Sequence, residues 1–186
     1  AQAGGRLLVV ASKSILQPAW GNDIDHFFPG MTYTVANANN REQAFKTASD
    51  VVITNHDAVV WLAKQRKLLA SFNRFIADES TAFKNPNSQR SKAMKDLATR
   101  FKWRRVMSGT PNPNSILELW HQVFLVDGGE RLGNSYYRFR SVACEPTLIK
   151  VGKEKGKQKE IIEWHDRPGI ETVTVRSAVW VIPPAG

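Results

Sequence analysis

Two short polar clusters hold the residues of this chain best suited to chemistry. Asp78-Glu79-Ser80-Thr81 closes the apolar run Phe75-Ile76-Ala77, and Ser108-Gly109-Thr110-Pro111 closes another short run about thirty residues later. An acidic pair leaving the carboxyl end of a buried strand suits hydrolysis of a nucleoside triphosphate. One carboxylate holds Mg²⁺ and the other positions the attacking water. Adjacent side chains at a strand end diverge, so Asp78 and Glu79 are fitted to those two separate tasks. Asp78, Ser80 and Thr81 are equally good helix N-caps, and for an isolated Asp-Glu that is the simpler reading. The later Ser-Gly-Thr-Pro, at this distance, favours the hydrolytic one. No G-x-x-x-x-G-K-[ST] phosphate loop occurs among the 186 residues.

Such groups need a rigid support. Short apolar runs alternate with helical patterns, which predicts a parallel sheet covered by helices. Strands are expected at 6–11, 32–35, 50–54, 74–77 and 104–108, and helices at 16–27, 41–48, 57–71 and 88–101. Ser115-Ile116-Leu117-Glu118 has the pattern of a capping box and predicts a helix that stops at Asp127-Gly128-Gly129. A further short helix is expected at 136–139. Beyond Pro146 the alternation fades, with a strand expected at 161–164 and no clear assignment for 172–175. The expected division is a lobe over residues 1–142 and a basic hairpin or loop with an irregular tail over 143–186.

Composition limits the function classes. Lys and Arg number 26 against 17 Asp and Glu, a net charge of +9 that favours polyanionic partners. Lys84, Arg90, Lys92, Lys95, Arg100, Lys102, Arg104 and Arg105 are opposed within their span only by Asp96. Such a run is either a solvated face or a nucleic-acid contact. A second basic run, 150–159, reads as an exposed hairpin or loop. The single cysteine, Cys144, excludes an internal disulfide, cannot by itself make a zinc site, and is expected to be inert. The apolar runs are too short to span a bilayer, and the first residues have no signal-peptide pattern.

Several segments, in order, resemble the first motor lobe of Snf-type ATPases within helicase superfamily two. Residues 7–20, Leu-Leu-Val-Val-Ala-Ser-Lys-Ser-Ile-Leu-Gln-Pro-Ala-Trp, are similar to motif Ia, and Val51-Val52-Ile53-Thr54-Asn55-His56-Asp57 to motif Ib. Residues 78–85 resemble motif II with its Lys-Asn extension. Residues 108–114 resemble motif III, and Glu118-Leu119-Trp120-His121-Gln122 the helix after it. The resemblance covers residues 6–142. Asp-Glu-Ser-Thr departs from the commoner Asp-Glu-Ala-His but keeps both acids. Residues 164–171 look like a Pro-Gly segment of phage-type relatives, whereas the tail at 178–184 does not continue that pattern.

The resemblance implies an α/β, three-layer RecA-like lobe with a mainly parallel sheet, incomplete at its N-terminus. It also implies a parent that couples ATP hydrolysis to movement on DNA, with Mg²⁺ and ATP as cofactors. Asp78 would hold Mg²⁺ through water and Glu79 would be the base. Asp78, Ser108, Gly109 and Thr110 would bind the cofactor, with Ser108 and Thr110 linking nucleotide state to strand position. Ser12, Lys13, Thr54 and Asn55, with Lys84 and Asn85, would approach the phosphate backbone of double-stranded DNA. A second motor lobe of the same parent would be the other partner. Cytoplasm of a bacterial or phage-infected cell is the expected location, or the nucleus of a eukaryote. Without the phosphate loop and second lobe, the chain alone is expected to be nearly inactive. The rival reading is a non-catalytic basic DNA-binding module. Ser12 and Ser14 alternatively cap a helix, and His56 and His121 are expected to be structural. Trp20, Trp61, Trp103 and Trp120 are expected to pack, Trp103 alternatively to stack on a base.

Overall fold

The computed structural model describes residues 5–109, 115–154 and 157–170, with only the backbone course for 153, 154 and 157–159. The chain divides into two compact units, Ala1–Pro111 and Asn112–Gly186. The boundary expected after residue 142 falls inside a helix of the second unit.

The first unit is built on five strands: β1 (Arg6–Ala11), β2 (Tyr33–Ala36), β3 (Val51–Asn55), β4 (Phe72–Ala77) and β5 (Trp103–Val106). They lie in the order β2-β3-β1-β4-β5, and every neighbouring pair is parallel. β1 sits at the centre because Leu8, Val9, Val10 and Ala11 are apolar on both faces and fully buried, as a strand covered on both sides must be. At the other extreme, β5 is an edge whose Trp103-Arg104-Arg105-Val106 is nowhere fully buried. Charged residues on such an edge oppose pairing with a stray strand.

Helical segments cover both faces. On one, Val9, Ala11, Val51 and Ile53 pack with Leu16 and Ile24. On the other, Phe75 stacks on Phe101 with ring centroids 5.2 Å apart, and Phe45 meets Phe72 at 5.6 Å. The helices there are α2 (Arg41–Lys46), α3 (Val59–Leu62) and α4 (Gln89–Ala98), while α1 (Asn22–Phe27) belongs to the first face. The expected α/β lobe with a mainly parallel sheet is therefore what this unit forms.

Two expected helices differ. The segment 16–27 is a π-helical stretch, Leu16–Gly21, leading into α1 and preceded by a 3₁₀ turn at Lys13–Ile15. Pro18 has no N–H to donate, and Gly21 resists helix, so a regular ladder cannot run through. The segment 57–71 begins with a 3₁₀ turn at His56–Ala58 and continues only as α3. Arg100 Nη2 donates to the Ala63 carbonyl at 2.6 Å, taking an acceptor that continued helix would need. Other boundaries move by one to three residues; α4 is capped by Ser88, whose Oγ accepts the Ser91 N–H at 3.1 Å.

The second unit contains α5 (Ile116–Asp127), α6 (Tyr136–Ala143) and an antiparallel hairpin of β6 (Cys144–Glu154) and β7 (Lys157–Asp166). Ser115 caps α5 through Leu117 N–H, and Gly128 at φ 75° ends it in the left-handed conformation glycine permits. Ile116, Leu119, Val123, Ala143 and Cys144 form its core, with Trp164 and Phe139 packed against them. The helix expected at 136–139 is one turn longer. The basic run lies in the paired ends of β6 and β7, except residues 155 and 156, which lie outside the described residues, and β7 starts before and ends after the single strand expected at 161–164. Residues 172–175 and the tail lie outside the described residues.

Candidate functional site

The parallel register ends β1, β3, β4 and β5 together, so the residues just beyond them share one end of the sheet. Val10 pairs with both Thr54 and Ala77, and Ala77 with Val106. In an open α/β sheet this carboxyl end is where ligands bind. Ser12 and Lys13 follow β1, Asn55 ends β3, Asp78 and Glu79 follow β4, and Ser108 and Gly109 follow β5.

Asp78 is fixed at every polar atom of its backbone and side chain. Its N–H donates to Val10 O at 2.8 Å, and its own carbonyl accepts from His56 Nε2 at 2.8 Å. Oδ1 accepts the Glu79 N–H at 2.8 Å, and Oδ2 accepts the indole N–H of Trp20 at 2.9 Å. Because a carbonyl can only accept, Nε2 of His56 carries the proton. Burial holds the His56 pKa below its ordinary value, against the opposing pull of that hydrogen bond, so the ring is neutral with Nε2 protonated. Phe83 packs edge-on against the imidazole at 5.1 Å.

Glu79 adopts φ 50° and ψ 57°, the one non-glycine with positive φ among the described residues. That conformation costs about 1–2 kcal/mol for a residue with a Cβ. Strain of this kind collects where geometry serves function. The Glu79 carboxylate is oriented by Thr81, whose hydroxyl donates to Oε1 at 2.6 Å. Thr81, the departure from the commoner motif, thus acts within its own cluster.

β5 joins this cluster through main chain. Met107 N–H donates to Ala77 O at 2.8 Å, and Ser80 N–H donates to Met107 O at 2.9 Å. Ser108 is thereby held beside the acidic pair, half-buried, with Gly109 exposed after it. Thr110 lies outside the described residues.

The expected nucleic-acid contacts divide. Lys13 and Asn85 are exposed, and Ser12 and Asn55 are half-buried. Ser12 occupies the N-cap position of the 3₁₀ turn but makes no side-chain capping hydrogen bond. Asn85 Oδ1 accepts the Asn87 N–H at 3.0 Å, and Lys84 is half-buried. Thr54 is the correction: it is fully buried, and its hydroxyl donates to Ala36 O at 3.0 Å. It joins β3 to β2 and presents nothing to a phosphate. Trp103 has the Arg105 guanidinium 4.8 Å from its ring centre.

Two residues of the site were expected only to pack or to be structural. Trp20 and His56 approach Asp78 from 58 and 22 residues away. Their types gave a hint (an indole and an imidazole each carry one N–H), but no spacing linked them to Asp78.

The donor set fits a Mg²⁺ held through water. Each Asp78 oxygen already accepts one hydrogen bond, and an ionised carboxylate keeps further lone pairs for metal-bound water. Mg²⁺ characteristically keeps several waters and leans on one or two carboxylates plus phosphates. Among the described residues no group of three or more His, Cys, Asp or Glu could enclose a metal directly. Nor is any helix among them long and apolar enough to cross a membrane.

Comparison with known proteins agrees with the motifs. A protein similar to this chain is p41 of Acyrthosiphon pisum secondary endosymbiont phage 1, 37% identical over 58% of this chain and 25% of p41. Another is the helicase-like transcription factor of Oryctolagus cuniculus, 36% identical over 69% of this chain and 15% of that protein. The chain thus spans a quarter or less of these relatives' length. Among solved structures, the Sulfolobus solfataricus SWI2/SNF2 ATPase core in complex with dsDNA has the same fold. Its TM-score is 0.63 at 24% identity, over 74% of this chain and 28% of that one. The family model of the SNF2-related domain matches residues 2–157, and the chain belongs to that family.

Proposed function

We propose that this chain is the part of an ATP-dependent DNA translocase that supplies the metal-holding and water-orienting carboxylates and a share of the DNA contact. The observation that carries this reading is the acidic pair at the carboxyl end of β4. There Asp78 is held from four directions and Glu79 is strained into a left-handed turn. Membership of the SNF2-related family and the Sulfolobus core's complex with dsDNA support the same assignment.

When bound, Mg²⁺-ATP supplies the phosphoanhydride and the charge-neutralising metal. Asp78 would hold the metal through water with its remaining lone pairs, and Trp20 and the Glu79 N–H keep its carboxylate plane from rotating. Glu79, aligned by Thr81, accepts the proton of the attacking water. A positioned base of this kind contributes about 10²–10⁴-fold in rate. Ser108, tied to the pair through Met107 O and Ser80 N–H, moves when β4 and β5 move. Lys13, Ser12, Asn55 and Asn85 contact phosphates of duplex DNA without reading sequence, as movement along DNA requires. The cell compartment is that of the DNA, cytoplasm or nucleus.

The residues that would cradle the β- and γ-phosphates are not among the 186. The chain alone therefore hydrolyses ATP at background level, with or without duplex DNA, in a phosphate-release assay. Turnover above background that Glu79→Gln abolishes would overturn this part. A parent chain that holds such a cradle would, by contrast, show DNA-stimulated hydrolysis that Glu79→Gln reduces at least 100-fold with duplex affinity unchanged. Hydrolysis indifferent to Glu79→Gln leaves the non-catalytic binding module as the better account.

A further inference from the structure

One charged cluster at the carboxyl end of the sheet has no part in the acidic site. Asn55 ends β3, and Asp57 lies in the 3₁₀ turn His56–Ala58 that follows. Asp57 uses both oxygens of its carboxylate. Oδ1 accepts from Arg90 Nη2 at 2.5 Å, and Oδ2 accepts from Asn55 Nδ2 at 3.4 Å. Arg90 stands in the first turn of α4, the helix that follows the acidic pair of β4. Its place in the chain and its contact with Asp57 therefore agree. Both put the guanidinium at the end of the sheet proposed to meet phosphate.

The Arg90–Asp57 pair does little for the fold. Its side chains are 43% and 66% exposed, and ion pairs so open to water add little stability. Among the described residues, Nη2 is the one guanidinium nitrogen of Arg90 that makes a hydrogen bond. A planar fork of five N–H donors is thus mostly unused, although it is matched to two oxygens of one anion. Arg100, in the same basic run, is a contrast. It donates to the Ala63 carbonyl as well as to Asp96, and only 20% of its side chain is exposed. The run therefore divides by role: Arg100 secures α4, and Arg90 is presented to solvent.

We infer that Arg90 is a further contact to the phosphate backbone of duplex DNA, and that Asp57 stands in for the phosphate in the free chain. This rests on the DNA-translocating reading above, but on different residues. An exposed carboxylate holding one N–H is an exchangeable partner. A backbone phosphate offers the same charge-assisted bonds to the rest of the fork, and its neutralisation also releases condensed counterions. After the exchange Asp57 keeps its bond to Asn55, so the turn beyond β3 stays closed. A guanidinium on phosphate alone reads no bases. The alternative, a clamp that merely ties α4 to the turn beyond β3, predicts a different response to mutation.

The test is fluorescence anisotropy of the 186-residue chain with a labelled duplex of random sequence across a salt series. Arg90→Gln, Asp57→Asn, their combination and Lys13→Gln are compared, each with its thermal unfolding midpoint. Arg90→Gln is expected to bind roughly threefold or more weakly near 0.1 M salt, with a log-log salt slope shallower by about 0.9. Its midpoint should stay within about 3 °C of the unaltered chain. Asp57→Asn removes the competing anion and should bind more tightly, and the gain should vanish when Arg90→Gln is added. Opposite signs for the two single variants are what a clamp cannot produce. Weaker binding by both, with lowered midpoints, makes the pair a clamp and overturns the inference. So does Arg90→Gln with affinity within twofold and an unchanged slope. An unchanged affinity of Asp57→Asn overturns the role given to Asp57. If Lys13→Gln weakens binding where Arg90→Gln does not, the DNA reading of the sheet end stands without Arg90. No binding by the unaltered chain rejects both.

Discussion

Trp20 donates its indole N–H to Asp78 Oδ2 at 2.9 Å, joining the π-helical stretch after β1 to the end of β4. The segment that presents Ser12 and Lys13 and the carboxylate proposed to hold Mg²⁺ thereby share one hydrogen bond. A shift of either is felt at the other.

Trp20→Phe keeps most of the ring and removes that donor. A hydrogen bond to a carboxylate contributes about 1.5–3 kcal/mol, so urea unfolding should show a loss of about that size. In a double-mutant cycle with Asp78→Asn, a coupling of at least about 0.5 kcal/mol is expected. Strict additivity would show that the two side chains do not depend on each other.

Glu79 is a site where stability and proposed function conflict. Glu79→Gly removes the Cβ clash of the left-handed conformation, whereas Glu79→Ala keeps it, and both lose the Thr81 hydrogen bond. The glycine variant should be more stable than the alanine variant by about 1 kcal/mol in chemical unfolding. Equal stabilities would mean that the turn at Glu79 relaxes in the alanine variant.

His56 makes stability depend on pH. Its folded-state pKa lies below the unfolded value because burial disfavours the charged ring. Above the ordinary histidine range both states are neutral, and its contribution is fully present. As pH falls through that range toward the depressed folded pKa, the unfolded state takes up the proton first and stability is lost. Unfolding free energies measured from pH 7.5 to 5 should fall more steeply for the unaltered chain than for His56→Gln. Parallel curves would assign the dependence to other groups.

Cys144 should resist alkylation. Burial, together with the Asp166 carboxylate it bonds to, pushes its thiol up to about 12. Iodoacetamide at pH 8 therefore finds almost no thiolate. Asp166→Ala removes the acceptor, exposes the end of α5 by deleting its bonds to Ser115 and Ile116, and speeds the reaction by tenfold or more. It should also destabilise the second unit by about 1–2 kcal/mol, the usual value of a lost helix cap. Equal alkylation rates would show that burial alone protects the thiol.

What the sequence by itself determined is local and periodic. The continuous apolar run at 7–11 could only be a strand buried on both faces, and Ser115 and Gly128 mark the ends of α5 through the dihedral angles they allow. The order of Asp78-Glu79 and Ser108-Gly109 placed both at the same end of a parallel sheet. Tertiary structure alone decided which polar groups meet. Thr54 and Asn55 are neighbours in sequence, yet register turns Thr54 into the sheet against Ala36 O and leaves Asn55 at its rim. Arg100 shortens the helix after His56 by reaching Ala63 O across 37 residues. Trp20 and His56 find Asp78 only because β1 and β4 are adjacent and β3 lies beside β1. A side chain's type records what it can donate or accept. Its partner depends on strand order and register, which arise from burial summed over the whole sheet.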